Sequence, residues 1–129
     1  MGAYDPQTTK EVVGDERLDV YRIVGVGILE TATLVPFLLS NQAKGVRRRG
    51  IENTYPEIHE GISAYSSYAH AIAQAGRLPQ LGSFIAKIEI TADVEARTNV
   101  WGQGGHLTIW ADALKLAQAV TDILPVDQP

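Results

Sequence analysis

Ser83 to Thr91 reads SFIAKIEIT, and this run limits the fold more than any other stretch of the chain. Phe84, Ala86, Ile88 and Ile90 recur at period two, so an extended backbone puts them on one face and turns Lys87 and Glu89 to the other. A helix would scatter the same residues around its axis. Leu18 to Gly25 (LDVYRIVG) repeats the extended pattern with β-branched and aromatic residues. Ile62 to Tyr65, Val94 to Val100 and Leu107 to Trp110 read as further strands. Thr121 to Val126 reads as the last, with Pro125 suited to an edge.

Helical signals are short. Thr33 is placed to cap a helix over Leu34 to Ala43, with Pro36 in the first turn and Gly45 as its stop. Ser66 or Ser67 caps Tyr68 to Ala75, stopped by Gly76, and Asp112 caps Ala113 to Val120. The order β-α-loop-β-α-β-β-β-α-β has no regular βαβ repeat, which favours α+β over doubly wound α/β. One α+β domain is expected over residues 17–129, with about three short helices. Residues 1–16, polar and broken by Gly2, Pro6 and Gly14, read as a flexible N-terminal arm. Lys44 to Gly61 is a long connection without clear periodicity, the kind that in compact domains is usually functional or mobile.

Composition narrows the chemistry. A chain of 129 residues with 45% hydrophobic content can fill one core. The absence of cysteine excludes disulfides, thiolate metal sites and a cysteine nucleophile. A net charge of −4 argues against general nucleic-acid binding but leaves room for a local basic site such as Arg47-Arg48-Arg49. No metal site is expected, because His59, His70 and His106 are scattered and form no ligand pair of helical or hairpin spacing. The longest apolar runs, such as Leu34 to Leu39, fall far short of the roughly 20 residues of a membrane span. Met1 to Glu16 lacks a signal peptide's basic and apolar regions, so a cytoplasmic protein without a membrane partner is the default expectation.

Three places carry chemistry. Arg22 is a charge inside an apolar strand; it would either grip a phosphate or carboxylate, or sit at a sheet edge or pair with Asp15, Asp19 or Glu30. His59 to Ser67 (HEGISAYSS) gathers hydroxyls at a strand-to-helix transition, where free N–H groups and the dipole receive an anion; the structural alternative is a serine cap. Trp101-Gly-Gln-Gly-Gly-His106-Leu-Thr108-Ile-Trp110 is a glycine turn running into a strand. Packing Leu107 and Ile109 inward would line His106, Thr108 and Trp110 on the opposite face. His106 suits a general base or a donor to ribose or phosphate. Neither a Walker loop nor a Gly-x-Ser-x-Gly elbow is present.

The blocks VYRIVGVG (20–27), EGISAYSS (60–67) before an alanine-rich helix, GSFIAKIEI (82–90) and GGHLTIW (104–110) resemble the layout of the ADP-ribosyltransferase superfamily, spanning most of 18–126. The resemblance implies a mainly antiparallel split sheet, with NAD clamped in a cleft and ADP-ribose transferred to an acceptor. It implies that Arg22 contacts NAD phosphates or ribose, and that Ser63, Tyr65 and Ser66 shape the nicotinamide pocket. The third catalytic position, usually a Glu on a later strand, falls here nearest His106 or Thr108. Glu89 lies one strand early and Glu95 before the glycine turn. Two other classes fit the chain: an antitoxin-, immunity- or regulator-like protein-binding module anchored by Tyr65, Tyr68, Trp101 and Trp110, and a phosphate-recognising RNA-end enzyme using Arg22, Arg47 to Arg49 and His106.

Overall fold

The computed structural model describes residues 3–126, so the outermost ends of the expected arm and domain (1–2 and 127–129) lie outside the described residues. Seven strands form one sheet: β1 (Lys10–Glu11), β2 (Leu18–Val24), β3 (Ile62–Tyr65), β4 (Phe84–Ile90), β5 (Arg97–Val100), β6 (His106–Trp110) and β7 (Val120–Pro125). Their spatial order is β1-β5-β6-β3-β2-β4-β7, and every pairing is antiparallel. With four short α-helices beside it, the architecture is the α+β one expected. These are α1 (Thr31–Leu34), α2 (Pro56–His59), α3 (Tyr68–Arg77) and α4 (Ala113–Gln118). None is long and apolar enough to cross a membrane.

Both faces of the sheet centre are covered. Val20, Val24, Ala86, Ile88, Leu107 and Ile109 pack on one face against Leu34 and Leu38, and against Leu116 and Ala117 of α4. Ile23 and Ile85 pack on the other against Ala71 and Ala75 of α3. The period-two pattern of β4 therefore gives the deeper face correctly, while Ile85 is fully buried by the helix behind it.

The sheet is weakest at its middle. β2 and β4 pair along their whole lengths, from Leu18 opposite Ile90 to Val24 opposite Phe84, whereas β2 and β3 share the single register pair Tyr21–Tyr65. Backbone groups at such a divergence need other partners, because an unmet buried carbonyl is costly. One of those partners is a side chain, Arg22, described below.

Four local expectations are corrected. The helix placed over Leu34 to Ala43 is a single α-turn, Thr31–Leu34, continued as a 3-10 turn at Val35–Leu38. Pro36, near the start of that 3-10 turn, falls where a missing N–H is tolerated, and Leu39 returns to extended backbone. Gly76 does not stop α3, which runs on to Arg77. The 44–61 connection contains a 3-10 turn at Gly50–Asn53 and the fourth helix, α2. The arm expected to be loose is tied down: β1 pairs with β5, and the Asn99 Nδ2 group donates to Asp5 O at 2.8 Å and Thr9 Oγ1 at 3.0 Å. Tyr4 is buried there beside Tyr55 and Trp101 and donates its hydroxyl to Glu57, with a pKa pushed up to about 12 by burial and that carboxylate.

Candidate functional site

Where β2 and β3 diverge, a cleft of about 510 Å³ opens, lined by Arg22 and Ile23 of β2 and Ser63 and Tyr65 of β3. Pro36 and Phe37 of the 3-10 turn, Asn41, Lys44, Arg49, Gln80 and Leu81 complete it. The size suits a small-molecule site. Among the described residues three cations line it and no carboxylate does, in a protein whose net charge is −4.

Arg22 shares its face of β2 with Val20 and Val24, so its guanidinium starts in the apolar layer and bends into the divergence. Its Nε donates to Phe37 O at 2.9 Å and its Nη1 to Ser63 O at 2.6 Å. The second bond gives a β3 carbonyl a donor where the ladder to β2 has ended. Nη2 makes no hydrogen bond to a described residue. Desolvation pulls the Arg22 pKa down to about 10, with Tyr65 opposing. The carboxylate pairing considered for Arg22 does not form among the described residues. Asp19 pairs with Arg17 and Lys87, and Glu30 accepts from Thr33.

Ser63 connects the cleft to β6. It is exposed, lies opposite Thr108 in the β3–β6 register, and its Oγ is 3.1 Å from His106 Nε2. The other ring nitrogen, Nδ1, lies 3.3 Å from Trp101 O. A carbonyl only accepts, so the neutral imidazole carries its proton on Nδ1, which leaves Nε2 to accept from the Ser63 hydroxyl. Burial lowers the His106 pKa, with the Trp101 carbonyl opposing, and this favours the neutral form. Tyr65 closes the group, its ring 5.9 Å from that of His106 in an edge-on arrangement. Its hydroxyl pKa is raised by burial, with Arg22 and Arg77 opposing.

The glycine turn explains how His106 gets there. Gly102, Gly104 and Gly105 all have positive φ, so the chain reverses in a conformation that other residues adopt at a cost. At Gly105 a Cβ would also strike the His70 ring and Ser66 Oγ, so only glycine lets the start of β6 approach α3 this closely.

The expected site residues therefore divide. Arg22, Ser63 and Tyr65 line one cleft, and His106 reaches it through Ser63. Thr108 does not: it is 2% exposed, and its Oγ1 accepts from Trp101 Nε1 at 2.8 Å. Ser66 is outside the cleft at the turn before α3, where its N–H donates to Gly105 O, while Ser67 caps the helix by accepting from His70 N. Of the aromatic anchors, Trp110 is buried with its indole N–H on Glu57 O, and Trp101 packs against Tyr4 and His106.

Lys44, Asn41 and Phe37 were not singled out from sequence. The cationic stretch 44–49 was the available signal, and of its arginine run Arg49 lines the cleft. Glu52 was also missed. It lines a smaller hollow that shares Arg22, Asn41 and Ser63 with the main cleft, and its Oε1 accepts from Arg49 N. Comparison of the chain with protein families, characterised proteins and solved structures finds no match.

Proposed function

We propose that this protein binds a phosphate-bearing nucleotide in the β2–β3 cleft, with NAD the ligand its resemblance to ADP-ribosyltransferases implies. The observation that carries this reading is Arg22, a desolvated cation with no carboxylate partner among the described residues, facing a cleft that Lys44 and Arg49 also line. Desolvating a guanidinium that has carbonyl partners but no carboxylate is unfavourable, and an anionic ligand would offset that cost when it binds. A guanidinium fork and two flanking cations suit a diphosphate. Tyr65 and Phe37 offer ring surface for a base or nicotinamide. ADP-ribose transfer, the chemistry the resemblance implies, would draw on Glu52, a carboxylate of the smaller hollow that shares Arg22, Asn41 and Ser63 with the cleft.

Thermal unfolding with added NAD, and separately with inorganic pyrophosphate, tests the reading. A ligand at 100 times its Kd stabilises the folded state by about 2.7 kcal/mol. Both ligands should raise Tm, and Lys44→Ala/Arg49→Ala should abolish most of the rise. A Tm unchanged by millimolar concentrations of either ligand refutes the cleft as a nucleotide site; a response to pyrophosphate alone refutes NAD as its ligand.

A further inference from the structure

We propose that Ser63 and His106 form a nucleophile–base pair that attacks phosphorus in a phosphoanhydride held in the cationic cleft. The inference rests on the phosphate-binding reading and adds the bond that is broken.

Among the described residues there are two serine–histidine hydrogen bonds, and they differ in what the hydroxyl is free to do. Ser67 Oγ is 2.9 Å from His70 Nδ1, but it already accepts the N–H of His70 as the cap of α3 and lies outside the cleft. Its role is local. Ser63 Oγ has His106 Nε2 as its protein partner, and its residue lines the cleft. The imidazole behind it is oriented by a backbone carbonyl on Nδ1 and held on its flanks by two rings, Trp101 at 4.8 Å and Tyr65 at 5.9 Å. Nucleophile, base and orienting group thus stand in sequence, the arrangement that activates a serine. Arg22 donates to the backbone carbonyl of Ser63 itself and lines the same cleft, so a cation contacts the residue that would attack. Negative charge that grows on phosphoryl oxygens would form within its reach.

The step balances without a further reagent. Ser63 Oγ forms a bond to phosphorus while its proton passes to His106 Nε2. The bridging P–O bond breaks, and the second phosphate leaves as an anion that needs no proton. His106 releases its proton to solvent. In the second half water attacks the phosphoserine, His106 takes the proton of that water, and the Ser63 oxygen leaves and recovers it. The products are two phosphate monoesters. A dinucleotide with a pyrophosphate bridge is the substrate class that matches both this step and the cleft.

Diisopropyl fluorophosphate tests the pair on the intact chain. Attack by Ser63 forms the O–P bond, expels fluoride and leaves a stable adduct that mass spectrometry locates. Ser63 should be labelled and Ser67 should not. His106→Gln should slow labelling on the order of 100-fold, and His70→Ala should leave it unchanged. Saturating pyrophosphate should protect Ser63. Circular dichroism of His106→Gln and Ser63→Ala checks that each is folded; were His106→Gln unfolded, His106→Asn takes its place. An unlabelled Ser63 overturns the proposal, as does labelling indifferent to His106. If pyrophosphate raises Tm while Ser63 stays inert, the nucleophile pair fails and the phosphate cleft stands. Labelling that pyrophosphate does not slow refutes the shared site.

Discussion

Replacing Arg22 with methionine separates a ligand-binding cation from a structural clamp, because the two roles predict opposite stabilities. Desolvation brings the guanidinium pKa to about 10, well below its ordinary value. At about 1.4 kcal/mol per pKa unit, the folded protein disfavours the cation by about 3 kcal/mol. Arg22→Met removes that penalty and keeps an apolar stem of similar reach in the layer with Val20 and Val24. It also strips donors from Phe37 O and Ser63 O. Both carbonyls border the cleft and can take water, so their loss costs about 1 kcal/mol each. The two effects nearly cancel. The ligand-free variant should unfold in urea within about 1 kcal/mol of the wild type, equivalent to a Tm change of about 3–5 °C for a domain of this size, while pyrophosphate no longer raises its Tm. A clamp would behave differently: breaking a buried charged contact of structural importance costs about 3–5 kcal/mol. A loss above about 3 kcal/mol in the absence of ligand refutes the view that Arg22 is retained for binding.

His106 has a pKa lowered by burial, so between that folded value and the ordinary histidine range the unfolded chain binds more protons. Stability should therefore fall as pH drops from 7 towards 5, and His106→Gln should flatten that part of the stability–pH curve; a parallel curve for the variant refutes the assignment. Gly61→Ala would set a methyl 2.5 Å from Thr108 Cγ2 and 2.9 Å from Ile109 O, so β3 and β6 must shift apart. A loss of about 1–3 kcal/mol in urea unfolding is expected. Asn99→Ala deletes the amide that holds Asp5 O and Thr9 Oγ1, at about 1–3 kcal/mol. Limited proteolysis should then cut before β2 faster than in the wild type, and an unchanged cleavage rate would show that β1 alone fixes the arm.

Sequence reading located most strands because their signal is local. Alternation in 84–90 and β-branched density in 18–24 follow from the pleat and need no knowledge of neighbours. Helix lengths were less legible. Leu34 to Ala43 has the apolar spacing of a helix, yet Leu39 must return to extended backbone so that the chain can run over to Lys44 and form the far wall of the cleft. The site was legible in part for the same reason. Arg22 announced itself as a charge in an apolar strand, and Ser63 and Tyr65 as polar groups on a short one. Thr108 carried an equal signal and proved internal, because Trp101, on the far side of the glycine turn, folds back to take its hydroxyl. Glu52 and Lys44 are ordinary loop charges until the fold sets them beside Arg22. What joins them is the divergence of β2 from β3, a property of the pairing between strands that are distant in sequence.

The kind of charge around the cleft decides what its binding energy can accomplish. Cations that hold a ligand's phosphates equally in ground and transition states tighten binding without speeding a reaction. For breakage of an N-glycosidic bond, Arg22, Lys44 and Arg49 would act in that uniform way. The charge that develops there is positive and sits on the ribose, so acceleration would need a carboxylate. Among the described residues Glu52 is the carboxylate that shares a hollow with Arg22 and Ser63, and one of its oxygens already accepts from Arg49 N. For breakage of a phosphoanhydride the same three cations face oxygens on which negative charge increases, so their attraction strengthens as the reaction proceeds. Ser63 then lies on the cleft wall with a neutral base behind it, and Arg22 contacts both the apolar core and the serine backbone. The strand divergence that leaves a β3 carbonyl without a ladder partner is thus what draws a guanidinium onto the backbone of Ser63, the proposed nucleophile. The weak point of the sheet and the chemistry proposed for the cleft have a common origin.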